Sequence, residues 1–130
     1  MIKVLLDTNI LALMLQERID IFEELSNLLE ERFLPLVLLE NVEETLRKIN
    51  LGRPSERGLF RRVLHIVGEK VIIVNSGIEE GLKTDDKIIL YALNEGCYVA
   101  TNDKALRRRL RRLGLPVIFY REAKKSFLIE

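Results

Sequence analysis

The sequence has little of the residues on which several common enzyme chemistries depend. It contains one cysteine and one histidine among 130 residues. A single cysteine excludes an internal disulfide and a cysteine-based zinc cluster, and we expect Cys97, which lies in an apolar run, to be a core residue. A single histidine, His65, leaves no arrangement of serine, histidine and aspartate for nucleophilic catalysis, and no glycine-rich phosphate loop is present.

Long apolar runs are also missing. No uninterrupted run approaches the roughly 20 residues that span a bilayer, and no basic segment precedes an apolar stretch at the N-terminus. We therefore expect a cytoplasmic protein with no membrane partner. The net charge is +1, so the overall balance of charge does not indicate a polyanionic partner. With 48% hydrophobic and 32% charged residues, the chain is expected to form one compact domain over residues 1–130.

Short apolar runs alternate with segments whose apolar residues recur at helical spacing. The runs predicted to be strands are residues 2–6, 33–38, 71–74, the neighbourhood of Val99, and 117–120. This alternation predicts an α/β fold in which helices cover both faces of a central parallel sheet, a three-layer α/β/α sandwich. Pro35 predicts an edge position or an interruption for the second strand, and residues 71–74 are predicted to be buried.

Local signals predict where several elements begin and end. Asp20, with Glu23 three residues later, predicts a capping box. Residues 51–55 predict a turn or loop, Gly68 the end of a helix, and Thr84 the N-cap of another. The tail over residues 121–130 contains apolar side chains and is expected to pack on the domain or on a second subunit.

Three aspartates stand at predicted junctions between strands and helices. Asp7 follows the first strand, Asp103 follows the fourth, and Asp85 opens the helix that leads into the fourth. Each alone could simply cap a helix or form a turn, but the carboxyl ends of parallel strands meet at one edge of a sheet. Carboxylates in one cleft repel each other unless a cation holds them, and oxygen ligands favour Mg²⁺ or Mn²⁺. The pattern therefore predicts metal-assisted cleavage of a phosphodiester.

A run of basic residues follows the last of these aspartates. Its members are Lys104, Arg107, Arg108, Arg109, Arg111 and Arg112. Such a run could be a solvated helix face, but its position next to Asp103 favours phosphate contacts. We predict RNA binding by four of them: Lys104, Arg107, Arg108 and Arg111.

Three segments, residues 5–9, 85–92 and 99–104, together with Gly114 and residues 116–118, resemble the PIN-domain nucleases. The resemblance extends in particular to archaeal members related to VapC-type toxins and to rRNA-processing PIN proteins. It implies an endonuclease acting on single-stranded RNA, a Mg²⁺ or Mn²⁺ site, and a homodimer.

Carried over by position, the resemblance assigns metal coordination to Asp7, Asp85 and Asp103. It further implies that Asn9 and Thr101 hold the first and last of these acids by hydrogen bonds. Asp86 stands where the family often has a small residue or a second acid, so its role stays open.

One position departs from the family pattern, which places a glutamate in the helix after the second strand. Thr45 stands between the apolar residues Val42 and Leu46, and a different register selects Asn41. The nearby acids that could substitute are Glu40, Glu43 and Glu44. We expect Glu43 to do so, because it flanks the predicted apolar stripe.

The leading hypothesis is a metal-dependent endoribonuclease of the VapC toxin type, restrained by an antitoxin protein. An rRNA-processing PIN nuclease is the alternative within the same chemistry. Thr45 motivates a different class, an RNA-binding or assembly module with weakened or lost activity. A phosphatase-like enzyme would need a second acid two residues after the nucleophilic aspartate, and Asn9 occupies that place.

Overall fold

A computed structural model describes residues 1–78 and 81–130. The strands are β1 (Ile2–Leu6), β2 (Phe33–Leu38), β3 (Ile72–Val74), β4 (Tyr98–Ala100), β5 (Val117–Arg121) and β6 (Ser126–Ile129). The helices are α1 (Thr8–Glu17), α2 (Ile21–Leu29), α3 (Leu39–Leu51), α4 (Pro54–Lys70), α5 (Thr84–Glu95) and α6 (Lys104–Arg112), and a short 3₁₀ turn spans Glu122–Lys124.

The six strands form one sheet in the order β3-β2-β1-β4-β5-β6. All neighbouring pairs are parallel except β5 and β6, which are antiparallel. Because β1 is in the middle of the sheet, the chain winds outward from it in both directions. The prediction of a mostly parallel sheet between helices is confirmed.

Alternate residues of β1 point to opposite faces of the sheet, and each face has its own core. Val4 and Leu6 pack with residues of α1, α2 and α4, whereas Leu5 packs with residues of α5 and α6. Cys97 is fully buried in the second core, as predicted. These two cores fix the three layers and place the ends of β1 and β4 side by side.

The predictions of which strand lies at the edge are wrong. β2 is neither interrupted nor at the edge, since it pairs with β1 on one side and β3 on the other. Pro35 is tolerated because β3 begins only opposite Leu36, one residue further along β2. β3 lies at one edge of the sheet and β6 at the other, and Ile72 and Ile73 of β3 are 47% and 46% exposed rather than buried.

Several ends of elements also differ from the prediction. Thr84 is the first residue of α5 rather than its cap, and α4 continues through Gly68 to Lys70. The predicted loop at residues 51–55 is only a short connection between α3 and α4, with Pro54 in the first turn of α4. The tail adds β6 to the sheet and buries Phe127. Within the described ranges, no helix has the length and apolar character to cross a membrane.

Candidate functional site

The candidate site lies where β1 and β4 end next to each other. The N–H of Asp7, directly after β1, donates to the carbonyl oxygen of Ala100 at the end of β4 over 3.0 Å. Asp103 is the N-cap of α6, the helix that follows β4, and Asp85 lies in the first turn of α5. All three aspartates are therefore at the carboxyl edge of the sheet.

Thr101 connects the first and the last of these acids. Its buried hydroxyl donates to Oδ2 of Asp7 over 3.0 Å and accepts the backbone N–H of Asp103 over 3.2 Å. The Asp103 carboxylate instead accepts the N–H of Leu106 in the first turn of α6. Thr101 thus fixes the side chain of Asp7 and only the backbone of Asp103, which differs from the role implied for it.

Asn9 acts on Asp7 through its backbone rather than through its side chain. The N–H of Asn9 donates to Oδ1 of Asp7 over 3.2 Å, which makes Asp7 the N-cap of α1. The side-chain oxygen of Asn9 accepts a hydrogen bond from Nζ of Lys48 over 3.3 Å. The exposed Asn9 side chain therefore joins α1 to α3 at the rim of the site.

The carboxylate of Asp7 is buried, with only 6% of the residue exposed. Burial raises the pKa of Asp7, and the charges of Asp85 and Glu44 raise it further, against the hydrogen bonds from Asn9 and Thr101. In the part of the chain that the structure describes, no lysine or arginine forms an ion pair with Asp7. Asp7 is therefore a buried carboxyl group with no cation of the described residues paired with it.

Asp85 shares this electrostatic environment. Its pKa is raised first by burial and then by the charges of Asp103 and Glu44, while Arg109 opposes the shift. The charges of Asp103 and Glu44 thus raise the pKa of Asp85, and the charges of Asp85 and Glu44 raise that of Asp7. Besides Asp86, the sequence neighbour of Asp85 that also raises its pKa, four carboxylates from distant parts of the chain are therefore electrostatically coupled: Asp7, Asp85, Asp103 and Glu44.

Glu44, and not the expected Glu43, is the glutamate that joins this group. The buried face of α3 includes two polar residues, Asn41 and Thr45, whereas Leu46 is 45% exposed. Asn41 accepts the N–H of Thr8 at the start of α1. Asn41 and Thr45 thus share the buried face of α3 with Val42 and Ile49, and Glu44, next to Thr45, is half-buried.

Glu40 and Glu43 lie elsewhere, on a polar cavity of about 460 Å³ between α3 and the start of α5. Burial acts to raise the pKa of Glu40, but hydrogen bonds from the hydroxyl and N–H of Ser76 outweigh it, and the pKa is lowered overall. Lys87, whose Nζ is 3.9 Å from Glu40, contributes in the same direction. These two glutamates are absent from the charges that raise the pKa of Asp7 and Asp85.

The basic residues of α6 differ in whether they form a close ion pair with an acid, and Arg107 and Arg109 do. Arg109 pairs with Asp86 over 2.6 Å, which lowers the pKa of Asp86. Arg107 donates to Glu130 over 3.0 Å and lies 3.8 Å from the ring centroid of Phe119. These contacts attach α6 to α5 and to the end of the chain, so the open role of Asp86 includes holding Arg109.

The remaining basic residues include exposed cations beside a shallow cavity. Lys104 and Arg108 form no ion pair in the described part of the chain, and both line this cavity of about 340 Å³. Arg107 and Arg111 complete its lining, and Arg111 is 3.6 Å from Glu130. The cavity is therefore lined only by cations among the residues described, although two of the four are partly neutralised.

Comparison with known proteins identifies the fold family. Residues 4–123 match the family described as PIN like domain. The chain belongs to the PIN-like domain family. This result confirms the resemblance seen in the sequence, and it places the four coupled carboxylates within the matched region.

Relatives of this PIN-like domain have two kinds of name. The rRNA-processing protein fcf1 of Schizosaccharomyces pombe is 31% identical over 88% of the chain, which spans 57% of the length of that protein. Ribonuclease VapC9 of Archaeoglobus fulgidus is 28% identical over 94% of the chain and 85% of its own length. The structure of the PIN domain endonuclease Utp24 superposes with a TM-score of 0.80 at 28% identity, covering 98% of this chain and 90% of that one.

The donor set of this PIN-like domain fits a hard divalent cation. All four coupled groups are carboxylates, and oxygen is the ligand that Mg²⁺ and Mn²⁺ prefer. Buried Asp7 and partly buried Asp85 have raised pKa values, which a cation would reverse. In the described ranges no three acidic side chains are close enough to share an ion as they stand, so closing on one would require rotation of side chains.

Proposed function

We propose that this PIN-like domain is a metal-dependent endoribonuclease that hydrolyses phosphodiester bonds of single-stranded RNA. The observation that carries the proposal is geometric: buried Asp7 lies with Asp85 and Asp103 at the carboxyl edge of the sheet, without an ion-pair partner among the described residues. The charges of Asp85 and Glu44 further raise the pKa of Asp7. Because a capping role would not need four carboxylates at one place, the arrangement is better explained by a shared cation. The names of the relatives, a ribonuclease and an rRNA-processing protein, support the same chemistry.

Each group at the site has a distinct part in this proposal. Asp7, Asp85, Asp103 and Glu44 would hold Mg²⁺ or Mn²⁺. When bound, such an ion supplies a water of lowered pKa and stabilises charge on the phosphoryl and leaving oxygens. Thr101 and the N–H of Asn9 keep the Asp7 carboxylate in one orientation. The N-termini of α5 and α6 add positive potential for a phosphate, and Lys104 and Arg108 contact neighbouring phosphates.

Cleavage of single-stranded RNA in Mn²⁺ tests the proposal directly. We expect activity for the wild type, none in excess EDTA, and a loss of about 100-fold or more for Asp85→Asn. Glu23→Gln is the matched control, because Glu23 is also an acid in the first turn of a helix but is exposed on α2. Thermal unfolding verifies that both variants fold. Activity that persists in EDTA or in Asp85→Asn would contradict the proposal.

Two cellular roles use this chemistry, and the observations favour RNA processing. The TM-score of 0.80 with Utp24 and the 31% identity with fcf1 support it. A VapC-type toxin, restrained by an antitoxin and dimeric, stays the competing role because VapC9 matches nearly the whole chain. Induced expression in a bacterial host separates these roles. A toxin should arrest growth as the wild type but not as Asp85→Asn, whereas a processing enzyme should not arrest growth in either form.

The alternative of a non-catalytic RNA-binding module rested on Thr45. With Glu44 beside the aspartates, a fourth carboxylate is available and that motivation is weaker. Calorimetry with Mn²⁺ distinguishes the two, since a module that has lost its site would bind RNA but show no saturable Mn²⁺ binding. Tight Mn²⁺ binding together with RNA turnover would exclude the module.

A further inference from the structure

Lys48 of α3 is a cation in contact with the acid cluster but on the opposite side from α6. Its Nζ is 3.3 Å from the side-chain oxygen of Asn9 and 3.9 Å from Glu44, one turn earlier on the same helix. Nζ also lies 5.0 Å from the ring centroid of Phe60 on α4. Contacts with α1, α3 and α4 therefore hold this ammonium group beside Asn9, whose backbone N–H donates to Asp7.

The ammonium group of Lys48 is positioned without being neutralised. Asn9 is uncharged, and an ion pair of 3.9 Å with half-exposed Glu44 contributes little. By contrast, Arg109 is bound to Asp86 over 2.6 Å and Arg107 to Glu130 over 3.0 Å. The Lys48 side chain is 35% exposed, so its charge is open to an anion from solvent.

A groove leads away from Lys48 between α3 and the start of α4. Its volume is about 370 Å³, and its lining residues are Glu44, Arg47, Lys48, Leu51, Gly52 and Glu56. Glu44 lines this groove and also raises the pKa of Asp7, so the groove adjoins the acid cluster. Leu51 is 85% exposed and offers an apolar surface at the outer end. In this groove Lys48 offers a cation for a phosphate, and Leu51 offers an apolar contact for the attached nucleotide.

We propose that Lys48 binds an RNA phosphate adjacent to the cleaved bond and that this groove takes the attached nucleotide. The inference rests on the proposed function. It adds to the RNA-binding surface of α6 a second surface, on α3 and the start of α4. Lys104 and Arg108 hold the strand on one side of the carboxylates, and Lys48 holds it on the other. The strand therefore crosses the acid cluster instead of ending at it.

Binding of a fluorescent single-stranded RNA in EDTA, followed by anisotropy over a range of salt, tests this without turnover. The variants are Lys48→Met, Lys48→Gln and Lys48→Arg. Lys70→Met is the matched control, because Lys70 on α4 has its Nζ 5.5 Å from the ring centroid of Phe22 and thus loses the same charge and the same aromatic contact. A second series replaces one phosphate at a time in the RNA by a neutral methylphosphonate.

We expect both neutral variants of Lys48 to bind RNA about three- to tenfold more weakly, with a salt slope smaller by about 0.7, as for one lost phosphate contact on a single strand. Lys48→Arg and Lys70→Met should match the wild type. One methylphosphonate position should weaken binding to the wild type but not to Lys48→Met.

The outcomes separate this inference from the proposed function. If the wild type binds and cleaves RNA while Lys48→Met and Lys70→Met behave alike, the assignment of Lys48 is wrong and the nuclease stands. If the methylphosphonate penalty is the same in the wild type and in Lys48→Met, the contact is also excluded. A wild type that neither binds nor cleaves RNA would overturn both.

Discussion

Asp7 and Asp20 both cap a helix through a carboxylate that accepts a backbone N–H, yet their surroundings differ. Asp7 at α1 accepts the N–H of the residue two positions later, and Asp20 at α2 does the same. Asp20 is exposed and also accepts the next N–H, from Glu23. Asp7 is buried, and its other oxygen is held by Thr101 from a neighbouring strand.

A capping contact is thus common to an exposed acid and to a buried acid that we propose as a metal ligand. Both carboxylates satisfy backbone groups at a helix start, which is what a cap requires. What distinguishes Asp7 is that the fold removes it from water and brings Asp85 and Glu44 near it. Burial of a charge without a partner destabilises the fold, and a bound cation would relieve that cost.

The largest expected difference between the two sites is in cleavage. Asp7→Asn keeps the size of the side chain but removes the charge, so we expect RNA cleavage in Mn²⁺ to fall about 100- to 1000-fold. Asp20→Asn, the same change at the exposed cap, should leave the rate within about twofold, since asparagine also caps well. Equal effects of the two substitutions would show that Asp7 is only a cap.

The same logic applies to two adjacent glutamates of α3. We expect Glu44→Gln to weaken Mn²⁺ binding about tenfold or more, because it removes a carboxylate coupled to Asp7 and Asp85. Glu43→Gln should bind Mn²⁺ as the wild type does, since Glu43 lines a different cavity. Isothermal titration calorimetry measures both. The reverse result would restore the assignment made from the sequence.

The third comparison is between two arginines of α6: Arg108, which is exposed, and Arg107, which is bound to Glu130. Arg108→Ala should weaken RNA binding several-fold and reduce the salt slope by about 0.7, as for one phosphate contact. Arg107→Ala loses the contacts with Glu130 and Phe119, so we expect it to lower the free energy of unfolding by about 1 kcal/mol. Its salt slope should change less than that of Arg108→Ala. Anisotropy and thermal unfolding provide the two readouts.

The sequence was sufficient to predict the layers of the fold and the junctions that carry Asp7, Asp85 and Asp103. These features follow from buried strands and helical periodicity, which are local. The burial of α3 could be predicted only in part. Val42 and Ile49 of its predicted apolar stripe are buried, but Leu46 is exposed and the polar residue Asn41 is buried. Asn41 accepts the N–H of Thr8 from a distant part of the chain, a contact that leaves no periodic signal in the sequence, so the apolar stripe alone favours Glu43 over Glu44.

The order of the strands was equally inaccessible to local signals. Pro35 in β2 indicated an edge strand, but the strand that lies at the edge is β3, which is too short to reach Pro35. Similarly, a run of basic residues in the sequence does not show which arginines have partners. The pairing of Arg107 with Glu130 depends on the return of the chain as β6 along β5.

The smallest expected difference between Asp7 and Asp20 is in stability. Asp7→Asn should lower activity but raise the free energy of unfolding. The pKa of Asp7 in the folded protein is raised above its ordinary value of 3.8. Ionised Asp7 therefore destabilises the fold, by an amount that is absent below about pH 3.8 and complete once the pH exceeds the raised pKa. Replacing it with neutral asparagine removes this term.

We thus expect Asp7→Asn in EDTA at pH 7 to raise the free energy of unfolding by about 1 kcal/mol, or the Tm by a few degrees, with a gain that shrinks as the pH approaches 4. Asp20→Asn should change the Tm little at either pH, because its carboxylate is exposed. Saturating Mn²⁺ should reverse the order, since an ion that binds only the folded wild type stabilises it and not Asp7→Asn. A lower Tm for Asp7→Asn in EDTA would mean that the hydrogen bonds to Asn9 and Thr101 outweigh the burial of charge, and the two caps would then differ in degree rather than in kind.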